Sequence, residues 1–108
     1  MSRTRTVVIA TALGLAATAA LAATPAEIAT GAGCMACHQP KFKLIGPAFK
    51  DIAAKYKGKA DAPAALALKV RKGGKGVWGE IAMLPADPAK ISDADLKAVI
   101  AWILKTPA

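Results

Sequence analysis

Cys34-Met35-Ala36-Cys37-His38 gathers two thiols and an imidazole within five residues, and these are the only cysteines and the only histidine of the chain. A C-x-x-C-H run has the spacing that attaches a c-type haem. The thiols add to the vinyl groups along one porphyrin edge, and the adjoining imidazole then lies beneath the iron as its proximal ligand. Competing readings ask for more than the chain offers. A thioredoxin-like redox pair needs a βαβ scaffold, and no strand-like alternation flanks the motif. A structural zinc site needs one more Cys or His ligand than is available. A disulfide across so short a loop would stabilise little. None of these explains why His38 follows Cys37 directly.

Upstream, Met1-Ser2-Arg3-Thr4-Arg5 is a positive segment, Val7 to Leu21 is apolar, and Ala20-Leu21-Ala22 has the small-x-small form of a cleavage site. Residues 1–22 therefore read as a secretory signal peptide cut after Ala22. The apolar run is short for a membrane-spanning helix and has no charged stop. Export suits the haem, because c-type attachment takes place outside the inner membrane; in a Gram-negative cell the destination is the periplasm. The mature domain is residues 23–108.

The whole chain has 15 Lys+Arg against 7 Asp+Glu, and loss of Arg3 and Arg5 with the leader leaves a net charge of +6. Nucleic acid is not an expected partner after export. A redox protein with an acidic docking patch is, since complementary charge speeds encounter. A monomer without stable membrane insertion is expected once the leader is gone.

Everything legible in the mature domain is helix or loop. Thr24-Pro25-Ala26-Glu27 combines an N-cap, a first-turn proline and a capping-box acid, opening a helix that runs to about Ala32. Ala48 to Tyr56 reads as a short helix with Phe49, Ile52, Ala53 and Tyr56 on one face. Asp61 is placed to cap a third helix that Gly73-Gly74 stops. Ser92 caps the last, along which Leu96, Val99, Ile100, Ile103 and Leu104 mark one face.

The second axial position of the iron decides between electron transfer, ligand binding and catalysis. Without a second histidine, the candidates are a methionine, a lysine or nothing. Met35 sits inside the attachment loop and cannot reach the opposite face. Met83 lies in Gly76-Val77-Trp78-Gly79-Glu80-Ile81-Ala82-Met83-Leu84-Pro85, a stretch punctuated by glycine and proline that reads as a loop between helices. A ligand on the far face can come from there. Two alternatives stand beside a carrier: a five-coordinate haem protein binding a small gas or peroxide, and a haem subunit of a larger redox enzyme.

The mature chain resembles class I cytochromes c, in particular the short bacterial mono-haem kind that donates electrons to periplasmic nitrite reductases and oxidases. The resemblance rests on Cys34-Met35-Ala36-Cys37-His38, Ile45-Gly46-Pro47-Ala48-Phe49-Lys50-Asp51-Ile52-Ala53, Gly76-Val77-Trp78-Gly79, Met83 and the terminal helix with Trp102. It implies an all-α fold of four to five short helices wrapped around one haem c, attached through Cys34 and Cys37. It implies a one-electron carrier rather than an enzyme, with His38 and Met83 as axial ligands. Pro47 would offer its carbonyl to the other imidazole nitrogen of His38, and Trp78 would hydrogen-bond a haem propionate, core packing being its plainer role. Departures occur at Lys69, where relatives often carry a propionate-binding arginine, and at Ala29, where a phenylalanine often faces the terminal-helix aromatic. A third is Ala86 in place of an asparagine, with a longer Ala86–Ile91 stretch and hence a looser methionine loop. Lys41, Lys43, Lys69, Arg71, Lys72 and Lys75 form a candidate docking ring around Leu44, Ile45, Leu84 and Pro85, or else an ordinary solvated surface.

A domain of 86 residues builds a modest core unaided. The haem-free mature chain is therefore expected to be poorly folded. Far-UV circular dichroism checks this: weak helical signal without haem is the expected result, and a native-like helical spectrum contradicts it.

Overall fold

The computed structural model describes residues 6–14 and 21–108. Residues 6–14 have no regular secondary structure, and Val7, Val8, Ile9 and Leu13 are between 79% and 89% exposed, so this apolar stretch adds nothing to the core. Arg3, Arg5 and the rest of the apolar run at 15–20 lie outside the described residues.

Among the described residues, regular secondary structure begins at helix α1, Pro25–Gly31. Thr24 and Glu27 form a reciprocal capping box: the Thr24 hydroxyl accepts from the Glu27 backbone N–H at 3.2 Å, and the Glu27 carboxylate accepts from the Thr24 N–H at 3.4 Å. A 3₁₀ turn follows at Cys34–Ala36, then α2 (Phe49–Tyr56) and α3 (Ala62–Lys72). A small antiparallel sheet pairs β1 (Gly74–Gly76) with β2 (Gly79–Met83), and α4 (Asp93–Leu104) closes the chain.

Helix α4 is the hub, touching α1, α2 and α3. Its Leu96, Val99 and Ile100 are buried with Ala29 and Ala32 from the first helix and its cap. Ala86 and Ile91, from the connector before α4, complete this cluster, and Leu66 and Val70 of α3 pack against it. Ala29 is fully buried, so the α1–α4 crossing is built on a methyl group. The aromatic partner of Trp102 is Phe49 of α2, edge-on with ring centroids 5.4 Å apart. That contact draws α2 against α4.

Two local expectations need correction. Asp61 occupies the N-cap position of α3, but its side chain caps nothing. Its backbone is already helical (φ −84°, ψ −6°), whereas a capping side chain needs an extended backbone to swing over the first turn. Pro63 also removes one of the N–H groups such a cap would serve. The stretch after Gly73 is not a plain loop but the β1–β2 hairpin, with Gly74 opposite Met83 and Gly76 opposite Gly79 around Val77-Trp78. Glycines at 74, 76 and 79 have φ between 111° and 114°, a region closed to other residues, and they hide the strand signal because they carry no alternating side chains.

The capping box makes a direct test. Thr24→Ala removes the acceptor for the first turn of α1 and is expected to lower the unfolding free energy by about 1 kcal/mol. A denaturant titration with an unchanged slope checks it; an unchanged midpoint would show that the cap is idle.

Candidate haem site

Gly33 enters the 3₁₀ turn with φ +83°, which lets α1 give way sharply to the attachment segment. The turn is tied by Cys37 and His38 N–H groups donating to the Cys34 carbonyl at 3.2 and 3.0 Å. Cys34, Cys37 and His38 are thereby presented from one tight loop. Both thiols are unpaired and half-buried. Burial pushes the Cys34 thiol up, against the opposing pull of a backbone hydrogen bond and of Lys90. It is an apolar setting suited to an uncharged thioether.

His38 is 9% exposed and tightly oriented. Its Nδ1 lies 2.8 Å from the Pro47 carbonyl oxygen. A carbonyl can only accept, so Nδ1 is the donor, and in the neutral ring Nε2 is the nitrogen with the lone pair, the tautomer a metal ligand requires. Phe49 stacks on the imidazole with centroids 5.4 Å apart and planes 19° from parallel. Gly46 packs so closely that a Cβ there would come within 2.6 Å of His38 Cε1. The segment from 37 to 50 is bound back on itself by Gly46 N–H to the Cys37 carbonyl (2.7 Å), Phe49 N–H to Gln39 (2.9 Å) and Lys50 N–H to Pro40 (3.0 Å). Gly46 and Phe49 thus act on the ring directly. The sequence signals them only as parts of a turn and of a helix face.

Met83 ends β2 and is partly buried, with its backbone gripped from both sides. Upstream, it pairs with Gly74 across the hairpin. Gly73, buried and at φ +66°, presses on the same segment: a Cβ there would collide with the Met83 carbonyl oxygen and lie 2.9 Å from the Pro85 nitrogen. Downstream, the Ala86 N–H donates to the Val70 carbonyl at 3.0 Å. The methionine loop is therefore anchored where the alanine substitution suggested looseness. Asp87 stiffens the added residues, its carboxylate accepting the N–H groups of Ala89 and Lys90 at 3.0 Å each.

Large apolar side chains stay uncovered on the segments around these donors: Ile45 is 51% exposed, Leu68 54%, Val77 53%, Ile81 67% and Leu84 77%. So much exposed apolar surface on a small domain is a seat for an apolar group, and two thiols followed by an oriented imidazole are the attachment groups of a c-type haem. Trp78 is 41% exposed, so core packing does not account for it; the Lys55 ammonium lies 5.6 Å from its ring centroid. Lys69 is partly buried, with Nζ against Gly74 of the hairpin. Arg71 drops out of the docking ring, because its guanidinium is engaged internally with Ala86, Ile91 and Asp93. Lys41, Lys43 and Lys72 are exposed, and Lys75 pairs with Glu80 at 3.3 Å.

The sequence profile of the family described as Cytochrome c matches residues 22–107. The chain belongs to the cytochrome c family. It is 62% identical over 85 residues to the cytochrome c2 of Rubrivivax gelatinosus, covering 79% of this chain and all of that protein. It is 52% identical over 79 residues to the cytochrome c-552 of Nitrosomonas europaea, covering 73% of this chain and 75% of that one. The crystal structure of wild-type Nitrosomonas europaea cytochrome c552 superimposes with a TM-score of 0.70 at 51% identity, over 75% of this chain and 98% of that one. A class 1 cytochrome of Sideroxydans lithotrophicus ES-1 gives a TM-score of 0.68 at 31% identity, over 78% and 94% of the two chains. The fold is thus that of a class I cytochrome c, mostly helical with one small hairpin. This cytochrome c carries haem c on the cysteine pair Cys34 and Cys37, and it is an electron carrier rather than an enzyme.

The Gly73 contact makes a paired prediction. Gly73→Ala must both adopt a strained φ and push the Met83–Pro85 backbone aside, whereas Gly58 (φ +75°) has open space where its Cβ would be. Gly58→Ala is expected to cost about 1 kcal/mol and Gly73→Ala about 3 kcal/mol or more. Denaturant unfolding of the two holoproteins checks the order; equal costs would mean that Gly73 does not brace the methionine segment.

Proposed function

We propose that this cytochrome c is a soluble periplasmic one-electron carrier whose haem iron is held by His38 and Met83. The observation that carries this reading is the fixed imidazole. With Nδ1–H committed to Pro47, Nε2 is the free nitrogen, on a ring that Gly46 and Phe49 keep from turning. Met83 supplies the remaining ligand from a segment braced by Gly73 and Ala86. When bound, the haem supplies a one-electron iron couple, and thioether ligation with burial favours the ferrous state and raises the potential. Cys34 and Cys37 would fix the macrocycle edge, Pro47 orients His38, and Trp78 would hydrogen-bond a propionate. With His38 and Met83 both holding the iron, the group would offer a substrate no open coordination site and would serve only to pass electrons.

The basic segment with Arg3 and Arg5, the apolar run and the Ala20-Leu21-Ala22 site support export and cleavage of residues 1–22. The partner is a reductase or oxidase with an acidic docking patch. Exposed Lys41, Lys43 and Lys72 supply positive charge beside the apolar Leu44, Ile45 and Leu84. Such a contact is small and short-lived, as fast turnover between redox proteins requires.

The optical spectrum of the ferric holoprotein tests the ligand set. A weak far-red sulfur-to-iron charge-transfer band is expected in the wild type and is expected to vanish in Met83→Ala. A wild type without the band and with a high-spin spectrum would make the iron five-coordinate, and the gas- or peroxide-binding reading would replace the carrier.

A further inference from the structure

We infer that Arg71 is a positioning residue for Met83, its guanidinium locking the segment that follows the methionine and so holding the thioether in place. The inference rests on the His38/Met83 reading above.

Arg71 lies in the last turn of α3 and is largely covered, its side chain 19% exposed. Nη1 donates to the Ala86 carbonyl at 3.2 Å and to the Ile91 carbonyl at 2.8 Å, and Nη2 donates to Asp93 Oδ1 at 2.6 Å. One planar cation thus spans both ends of the connector between Met83 and α4. Only an arginine has the fork to do so; a lysine ammonium is a point charge on a flexible stem. Hydrogen bonds from a charged donor are also the stronger kind.

The link to Met83 is short. Ala86 is 9% exposed and held on both faces of its peptide, its N–H on Val70 and its carbonyl on Arg71. Between Ala86 and Met83 stand Leu84 and Pro85, and the proline ring restricts one of the few torsions left. Gly73 and the hairpin pairing with Gly74 hold Met83 itself. Val70, Arg71 and Gly73 all come from the end of α3, so one helix terminus clamps the methionine segment from the Met83 carbonyl to Ala86 and on to Ile91. Without Arg71, the Ala86 and Ile91 carbonyls lose their charged donor and the downstream half of the clamp opens.

Exogenous imidazole reads this opening directly. It binds the ferric iron only when Met83 has left, so its apparent affinity scales with the open population. Arg71→Gln is expected to bind imidazole about tenfold more tightly than wild type, with the far-red band still present in its absence. Arg71→Lys is expected to lie between the two, and it carries the test if Arg71→Gln does not accumulate as holoprotein. Thr24→Ala, which weakens the fold away from the clamp, is expected to keep the wild-type imidazole affinity. Wild-type affinity in both Arg71 variants would overturn the proposal, as would an equal rise in Thr24→Ala, which would mean general loosening. A wild type that lacks the band and binds imidazole as tightly as Met83→Ala would overturn the ligand assignment and the proposal with it. Failure of the proposal alone leaves the band intact.

Discussion

The hydrogen bond from His38 Nδ1 to the Pro47 carbonyl, at 2.8 Å, is the constraint on which the rest of the structure depends. A histidine following two thioether cysteines is already confined, yet its ring could still rotate or present either nitrogen. The Pro47 carbonyl removes that freedom, engaging Nδ1 and leaving Nε2 as the nitrogen available to a metal. The neighbouring chain serves the same end. Gly46 must lack a side chain because the imidazole occupies the space, and Phe49 stacks on the ring while its own edge contact with Trp102 ties α2 to α4.

From that ring outward, the fold ties the segment carrying Met83 to the helices that carry the core. Helix α4 gathers the other helices through Leu96, Val99 and Ile100, and the connector before it contributes Ala86 and Ile91 to the same cluster. The methionine segment therefore meets the end of α3 from Met83 to Ala86 and joins the hydrophobic core at Ala86. A carrier benefits from this arrangement, because an iron whose ligands and surroundings move little between oxidation states exchanges electrons with little rearrangement. The apolar side chains at 45, 68, 77, 81 and 84 are left exposed by the small polypeptide core.

Much of this was legible in the chain where the determinants are local. The Thr24/Glu27 capping box and the Ser92 cap are written in a few adjacent residues, and the helices begin where those signals place them. The attachment motif is likewise contiguous. Asp61 misled because capping depends on the backbone angles of the residue itself, which its identity does not reveal. The hairpin escaped because glycines 74, 76 and 79 carry its turn and leave no alternating pattern. The hold on the methionine segment was beyond reach for a different reason. Arg71 meets acceptors 15, 20 and 22 residues away and looks like an ordinary surface charge, and the Gly73 contact with Met83 and Pro85 exists only in the folded chain.

The account centres on Met83 at the iron, and proton nuclear magnetic resonance of the ferrous protein probes it at the atom concerned. A methyl group bonded through sulfur to a diamagnetic haem iron sits over the porphyrin and feels its full ring current. With Met83 on the iron, a three-proton singlet is expected far upfield of all other methyl signals, assigned to Met83 Cε by its loss in Met83→Leu. A ferrous spectrum without such a signal, or one in which it survives Met83→Leu, would contradict the account.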